Sequence, residues 1–204
     1  MTDELVKQDE ALIKSFILNK ALTLQDDKPL SDFYMWQHQV SHHVPVIETP
    51  KSGPVAKYIS QLVDFHGVPQ VKDCYANAVN LCQFSVTSGI RSGITVNYIE
   101  GYSLTDGRVL VPHAWNEYDG NYFDITMDQM ESMHPDRKKW RTFYLKVIDL
   151  DPVEAWCYSP KRFEPLQVLH YLKLNRLPKK TLKRREPIIE SHVLGQSEKS
   201  SPSP

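Results

Sequence analysis

The sequence predicts an α+β fold in which N-terminal helices pack on an antiparallel sheet. Apolar residues recur with helical spacing before residue 90, and they alternate with polar residues after Gly93. A run of helices followed by a run of strands is typical of α+β domains. With 204 residues, the chain is long enough for one domain with a substantial core and a tail.

The first half of the chain predicts helices. Thr2 and Ser31 are candidate N-caps, and Gly67 is a candidate end for the third helix. Three prolines and a glycine between 41 and 54 predict a connector. The expected helices cover 2–22, 31–40, 55–65 and a segment from Asp73 or Cys74 to residue 88.

The second half predicts strands. Asp119–Gly120 has the composition of a two-residue hairpin turn, and Thr105–Gly107 predicts another turn. A short helix over 164–175 is expected near the end of the domain. The expected strands cover 94–103, 109–118, 121–127 and 142–150.

Composition excludes several classes of protein. Hydrophobic residues make up 41% and aromatic residues 10% of the chain, as in globular proteins. No apolar run is long enough to span a membrane, and the N-terminus lacks the apolar core of a signal peptide. Cys74, Cys82 and Cys157 form no CxxC pair and no metal-ligand spacing. We therefore expect a cytoplasmic protein with no membrane contact, no metal and no cofactor.

The net charge of −1 conceals a gradient along the chain. Residues 171–185 contain seven Lys or Arg and no acid, whereas residues 1–170 carry a net charge of −6. The basic segment is interpreted either as a solvated helix end or as a contact surface, with an acidic partner for Lys179–Arg185. Nucleic acid is disfavoured because the body is acidic and only Tyr171 could stack on bases.

The domain boundary is placed by composition. Residues 1–175 are expected to form one α+β domain, with the chemistry confined to about 70–127. Residues 176–204 are first basic and then rich in Ser and Pro. Such a composition predicts a flexible tail.

Cys74 stands in the predicted first turn of a helix, where backbone amides and the helix dipole stabilise an anion. The thiolate is the nucleophilic form of cysteine, and the same amides can hold an oxyanion. Nucleophilic catalysis also needs a base and an orienting group, for which His113 and Asp124 are the candidates. The structural alternative is a small buried cysteine beside two ordinary sheet residues.

The hairpin register tests this combination. If Asp119–Gly120 is a two-residue turn, Trp115 faces Asp124 across the hairpin. His113 and Asp124 are then diagonal neighbours on one face, about 7–8 Å apart at the backbone. A three-residue loop would put Asp124 on the other face, so the register decides whether the two side chains can meet.

Three segments resemble a known superfamily. DCYANA, YIEGYS and VPHAWNEYDGNYFDIT, in this order, resemble small bacterial and phage proteins of the papain-like, transglutaminase-like cysteine superfamily. The resemblance covers residues 70–127. It implies a papain-like fold, with Cys74 as nucleophile, His113 as general base and then acid, and Asp124 as the orienting group. It also implies acyl-enzyme chemistry on a peptide or amide substrate.

Other residues near the motif have open roles. Gln70 lies four residues before Cys74, whereas papain-type enzymes have their oxyanion glutamine six residues before the cysteine. Gln70, Asn77 and Trp115 are candidates for substrate or oxyanion contacts, with helix hydrogen bonding and core packing as the alternatives for Asn77 and Trp115. Glu100 either lines the cleft or faces solvent.

The function predicted from these residues is a cysteine hydrolase of the amidase or peptidase type. One alternative is an acyl or amine transferase that uses the same three residues. The other is a non-catalytic interaction protein of the same fold, which would use its basic C-terminal segment.

Overall fold

The computed structural model describes residues 2–67, 69–70, 73–87, 93–134, 141–158, 166–178 and 192–193. The helices are α1 (Asp3–Thr23), α2 (Lys28–Val40), α3 (Gly53–His66), α4 (Cys74–Thr87), α5 (Ile125–Met133), α6 (Pro152–Tyr158) and α7 (Leu166–Leu174). The strands are β1 (His42–His43), β2 (Val46–Ile47), β3 (Asn97–Thr105), β4 (Val109–Tyr118), β5 (Asn121–Phe123), β6 (Thr142–Leu150) and β7 (His192–Val193). The predicted α+β class is confirmed.

The strands form one sheet in the order β1-β6-β3-β4-β5-β2, and β7 also pairs with β4. The sheet is mixed, so the prediction of an antiparallel sheet is wrong at one place. Val46–Ile47 of β2 runs parallel to Tyr122–Phe123 of β5. A two-residue strand inside a proline-containing connector has no periodicity, so the sequence gives no signal for it.

The main core lies between the sheet and the helices α1, α2, α4, α6 and α7. Its fully buried residues include Ile13 and Ile17 of α1, Cys82 of α4 and Tyr98 of β3. A smaller cluster contains Trp115 of β4, Tyr144 of β6 and residues of the connector. The N-terminal helices therefore pack on the sheet as predicted.

The hairpin of β4 and β5 has the predicted two-residue turn. Tyr118 pairs with Asn121, and Asp119 and Gly120 both have positive φ, at 51° and 78°. Two consecutive positive φ values define the turn type whose twist matches that of the flanking strands. The predicted register is confirmed as far as Phe123, which pairs with Asn116. Asp124 comes directly after the last paired residue of β5.

The predicted third strand over 121–127 is too long. β5 ends at Phe123, and Asp124 is the N-cap of α5, with its carboxylate accepting hydrogen bonds from the amides of Thr126 and Met127. An aspartate at this position satisfies amides that would otherwise lack partners, which favours helix initiation. Helix α6 was not predicted.

The tail can be described only in part. His192–Val193 pairs with Val109 and Leu110 of β4. The basic segment Lys179–Arg185 lies outside the described residues. No helix in the described part of the chain combines the length and apolar character needed to cross a bilayer.

Glu100 neither lines a cleft nor faces solvent, because it is fully buried in the core. One of its oxygens, Oε2, accepts hydrogen bonds from Tyr98 Oη at 2.7 Å and from the amides of Leu166 and Gln167 at 2.7 and 3.2 Å. Glu100 therefore ties β3 to the N-terminus of α7. Burial raises the pKa of Glu100 to about 8, and the hydrogen bonds oppose only part of this rise.

Glu100→Gln is expected to change the pH dependence of stability. The folded chain holds a proton on Glu100 up to about pH 8, whereas an unfolded glutamate loses it near pH 4.3. Burial of Glu100 therefore makes the free energy of unfolding fall as pH rises between these values, by at most about 1.4 kcal/mol per pH unit. Urea unfolding from pH 5 to 8 should show a shallower decline for the variant. If the free energy of unfolding changes with pH equally in both chains, the pKa of Glu100 is not raised by burial.

Candidate active site

Cys74 is the first residue of α4. The helix begins here because the amide of Asn77 donates to the carbonyl oxygen of Asp73 at 2.8 Å, closing the first turn. Cys74 is only 8% exposed, and its side chain lies close enough to His113 to raise the pKa of the imidazole. The sulfur therefore lies at the positive end of the helix dipole and next to a base.

His113 lies on β4 between Cys74 and Asp124. Its Nε2 is 2.5 Å from Oδ2 of Asp124. Since Nε2 faces the carboxylate, Nδ1 is the ring nitrogen left for an interaction with Cys74. The structure thus brings together the three residues that the sequence predicted as catalytic, with the imidazole between the thiol and the carboxylate.

The carboxylate of Asp124 accepts four hydrogen bonds. Oδ1 accepts from the amides of Thr126 and Met127, both at 3.0 Å. Oδ2 lies beside His113 and also accepts from Tyr144 Oη at 3.0 Å. Two oxygens with two lone pairs each have no further acceptor positions. Asp124 is therefore fixed by the helix that it caps and by two side chains from the sheet.

Aromatic rings enclose the imidazole. The ring of Trp115 stacks on His113 with 6.2 Å between centroids, and Tyr144 lies 6.1 Å from His113. Trp115 and Tyr144 meet edge to face at 5.2 Å. Both are almost completely buried. The rings exclude water from one side of the imidazole and restrict its rotation.

The electrostatics of the site favour a charged imidazole. Burial alone would lower the pKa of His113, but the Asp124 carboxylate and the Cys74 side chain act the other way and raise it well above its ordinary value. A protonated imidazole between a carboxylate and a sulfur stabilises a thiolate.

Asn77 connects the start of α4 to its surroundings. Its Nδ2 donates to the carbonyl oxygen of Gln70 at 2.8 Å and to Oγ1 of Thr126 at 2.9 Å, and its Oδ1 accepts from the amide of Gln70 at 3.2 Å. Both side-chain donor hydrogens are thus directed at protein acceptors. Asn77 holds the Cys74 helix against α5, which carries Asp124 at its start.

The other two predicted contact residues occupy different surroundings. Gln70 is exposed, close to the start of α4. Trp115 is 1% exposed and packs against His113. A role in substrate or oxyanion binding stays a prediction for Gln70, Asn77 and Trp115.

Sequence reasoning missed Tyr144 and Thr126. Tyr144 reaches the site because β6 pairs with β3, which in turn pairs with β4. Such pairing joins segments distant in sequence, and no local pattern indicates it. For Thr126, the available signal was an aspartate two residues before it, in a position suited to capping a helix.

The remaining cysteines differ from Cys74. Cys82 is completely buried, and burial raises the pKa of its thiol far above the ordinary range. Cys157 is exposed. Among the described residues, no three His, Cys, Asp or Glu side chains are grouped so that they could hold a metal ion.

One surface depression lies away from the triad. It encloses about 350 Å³ and includes Ser85 and Val86 near the end of α4, together with Asp151. Eleven residues of helix separate Ser85 from Cys74, a rise of about 16 Å. The depression therefore adds nothing to the chemistry of Cys74.

Comparison with protein-family models, curated proteins and solved structures finds no match to this chain.

Proposed function

We propose that this protein is a cysteine hydrolase of the amidase or peptidase type with a papain-like or transglutaminase-like core. The observation that carries the proposal is the contact of His113 Nε2 with Asp124 Oδ2 at 2.5 Å, with Cys74 near the same imidazole at the start of α4. A nucleophile, a base and an orienting group are the three parts that thiol acyl transfer needs. The expected substrate is a peptide or another amide, and the expected location is the cytoplasm.

In the acylation step, the thiolate of Cys74 attacks the carbonyl carbon and forms a carbon–sulfur bond. The carbonyl oxygen becomes an oxyanion, which amides in the first turn of α4 can stabilise. The imidazolium of His113 gives its Nδ1 proton to the leaving amine as the carbon–nitrogen bond breaks. A thioester of Cys74 and a neutral imidazole remain.

In the deacylation step, neutral His113 takes a proton from water through Nδ1, and the resulting hydroxide attacks the thioester carbonyl. Collapse of the second oxyanion breaks the carbon–sulfur bond and releases a carboxylic acid. The thiolate and imidazolium are restored. Asp124 keeps its contact with Nε2 throughout and so holds the tautomer in which Nδ1 exchanges the proton.

Two alternatives from the sequence differ from this proposal in ways that can be measured. An acyl or amine transferase would share the thioester and would replace water by an amine. An interaction protein of the same fold would act through its basic C-terminal segment and would need no reactive thiol. The reactivity of Cys74 separates the interaction protein from the two enzymes.

The thiol of Cys74 is expected to react with iodoacetamide at pH 6. An isolated thiol with pKa near 8.5 is only about 0.3% thiolate at this pH, whereas a Cys–His ion pair is mostly thiolate. Because Cys157 is exposed, the measurement is made in a Cys157→Ser chain. Mass spectrometry of the peptide containing Cys74 gives the alkylation rate at that site.

His113→Ala should lower this rate by about 100-fold, because the thiolate then loses its counter-ion and base. Cys74→Ala supplies the blank, and His42→Ala, at an exposed histidine, supplies the matched control. If His113→Ala and His42→Ala react at the parent rate, Cys74 does not depend on His113 and the proposed function fails.

A further inference from the structure

The Asp124 carboxylate has a second side-chain partner on the oxygen that faces the imidazole. Tyr144 Oη donates to Oδ2 at 3.0 Å, and His113 Nε2 lies 2.5 Å from the same atom. The carboxylate is therefore held from β6 as well as from β4 and from the start of α5. Neither the hairpin nor the helix cap requires the contact from β6.

We infer that Tyr144 is a positioning residue of this site: its hydroxyl holds the Asp124 carboxylate and, through it, the imidazole of His113. A catalytic role for Tyr144 rests on the proposed function, whereas the contact of its hydroxyl with Asp124 does not involve Cys74. Tyr144 touches none of the reacting atoms and acts through Asp124.

The surroundings of Tyr144 keep its hydroxyl a donor. Its side chain is buried against Trp115 and Ile99. Burial and the adjacent Asp124 carboxylate raise the pKa of Tyr144 well above its ordinary value, so the phenol keeps its proton throughout the range in which an imidazole titrates. The donated hydrogen bond therefore persists whether His113 is charged or neutral.

The hydroxyl also moderates the charge that reaches the imidazole. The hydroxyl of Tyr144 donates to Oδ2 of Asp124 and partly neutralises the negative charge on that oxygen. The carboxylate then attracts the His113 imidazolium less strongly. Loss of the hydroxyl should therefore strengthen the attraction between Asp124 and the imidazolium. Three other ionisable groups affect the pKa values at this site. Cys74 of α4 affects the pKa of His113, and Asp128 and Glu131 of α5 affect the pKa of Tyr144.

The test is the NMR titration of the His113 imidazole in the full chain. The chain has eight histidines, and the His113 signal is identified by its loss in His113→Gln. Tyr144→Phe removes the hydroxyl and keeps the ring. Tyr122→Phe is the matched control, because Tyr122 packs in the same cluster but its hydroxyl accepts from Lys146.

Tyr144→Phe should move the His113 midpoint to higher pH, whereas Tyr122→Phe should leave it in place. Asp124→Asn, which removes the charge itself, should move the midpoint to lower pH and shows that the signal responds. An unchanged or lowered midpoint in Tyr144→Phe, or an equal shift in Tyr122→Phe, overturns the inference. The proposed function is tested separately: it fails if Cys74 in His113→Ala is alkylated at the parent rate.

Discussion

Gly101→Ala is expected to abolish the native fold or to destabilise it by about 4 kcal/mol or more, a range reserved for core and backbone disruptions. A Cβ at this position would lie 2.0 Å from the carbonyl oxygen of Leu145 and 3.0 Å from the amide nitrogen of Val147. Both obstacles are backbone atoms of β6, so no rotamer change can relieve them. Urea unfolding and the yield of soluble protein measure the effect.

The backbone of β6 comes this close to Gly101 because the sheet is irregular there. The register between β3 and β6 shifts between Glu100 and Gly101, so that Gly101 faces Lys146 while Glu100 faces Ile148. The extra residue on β6, Val147, brings its backbone against Gly101. Because Gly101 also pairs with His113, the irregularity lies directly beside the proposed base.

Gly120→Ala is the matched control for this substitution. Gly120 has a positive φ of 78°, but a Cβ there would meet nothing within 4 Å. Its alanine variant should cost only about 1–2 kcal/mol, the ordinary penalty for a left-handed backbone. Equal stabilities of the two alanine variants would show that the close approach at Gly101 does not exist in solution.

Asp124→Asn is expected to separate the two roles of this residue. An asparagine can keep its oxygen toward the amides of Thr126 and Met127, since asparagine caps helices as well as aspartate does. Its amide group then faces His113 and the hydroxyl of Tyr144, where a carboxylate oxygen stood. The variant should fold, but the alkylation rate of Cys74 should fall by about 100-fold or more, because the imidazole is held in the wrong tautomer.

Asp124→Ala should lower both the stability of the fold and the alkylation rate of Cys74. It removes the helix cap, at about 1 kcal/mol, and leaves the buried hydroxyl of Tyr144 and the buried Nε2 of His113 without their acceptor, at about 1–3 kcal/mol each. Thermal unfolding and Cys74 alkylation, both measured in the Cys157→Ser chain, compare the two variants. A stable Asp124→Asn chain that alkylates at the parent rate would remove Asp124 from the mechanism.

The sequence predicted the helices well where apolar spacing and caps agreed. Thr2 does cap α1, accepting from the amide of Leu5, and Cys74 does begin α4. The start of α2 was placed at Ser31, but the helix begins at Lys28 with Asp27 as its cap. Asp27 lies four residues before Ser31, and the prediction did not include it as a cap.

The predicted strand over 121–127 shows a different kind of error. Alternation of apolar and polar residues continues through Asp124 to Met127, but alternation does not exclude a helix cap. Once the chain leaves β5, the carboxylate of Asp124 is turned toward His113 and its own helix. The predicted contact between Asp124 and His113 is therefore made from the N-cap position of a helix, and not from a strand as predicted.

The sequence by itself determined the hairpin register that brings His113 near Asp124. That result depends only on a two-residue turn at Asp119–Gly120 and on strand alternation, which are local properties of about ten residues. Tertiary structure alone decided that Tyr144 joins them, that Glu100 is buried beneath α7, and that the thiol of Cys74 meets the imidazole. These contacts join elements far apart in the chain, and packing of helices on a curved, twisted sheet brings them together.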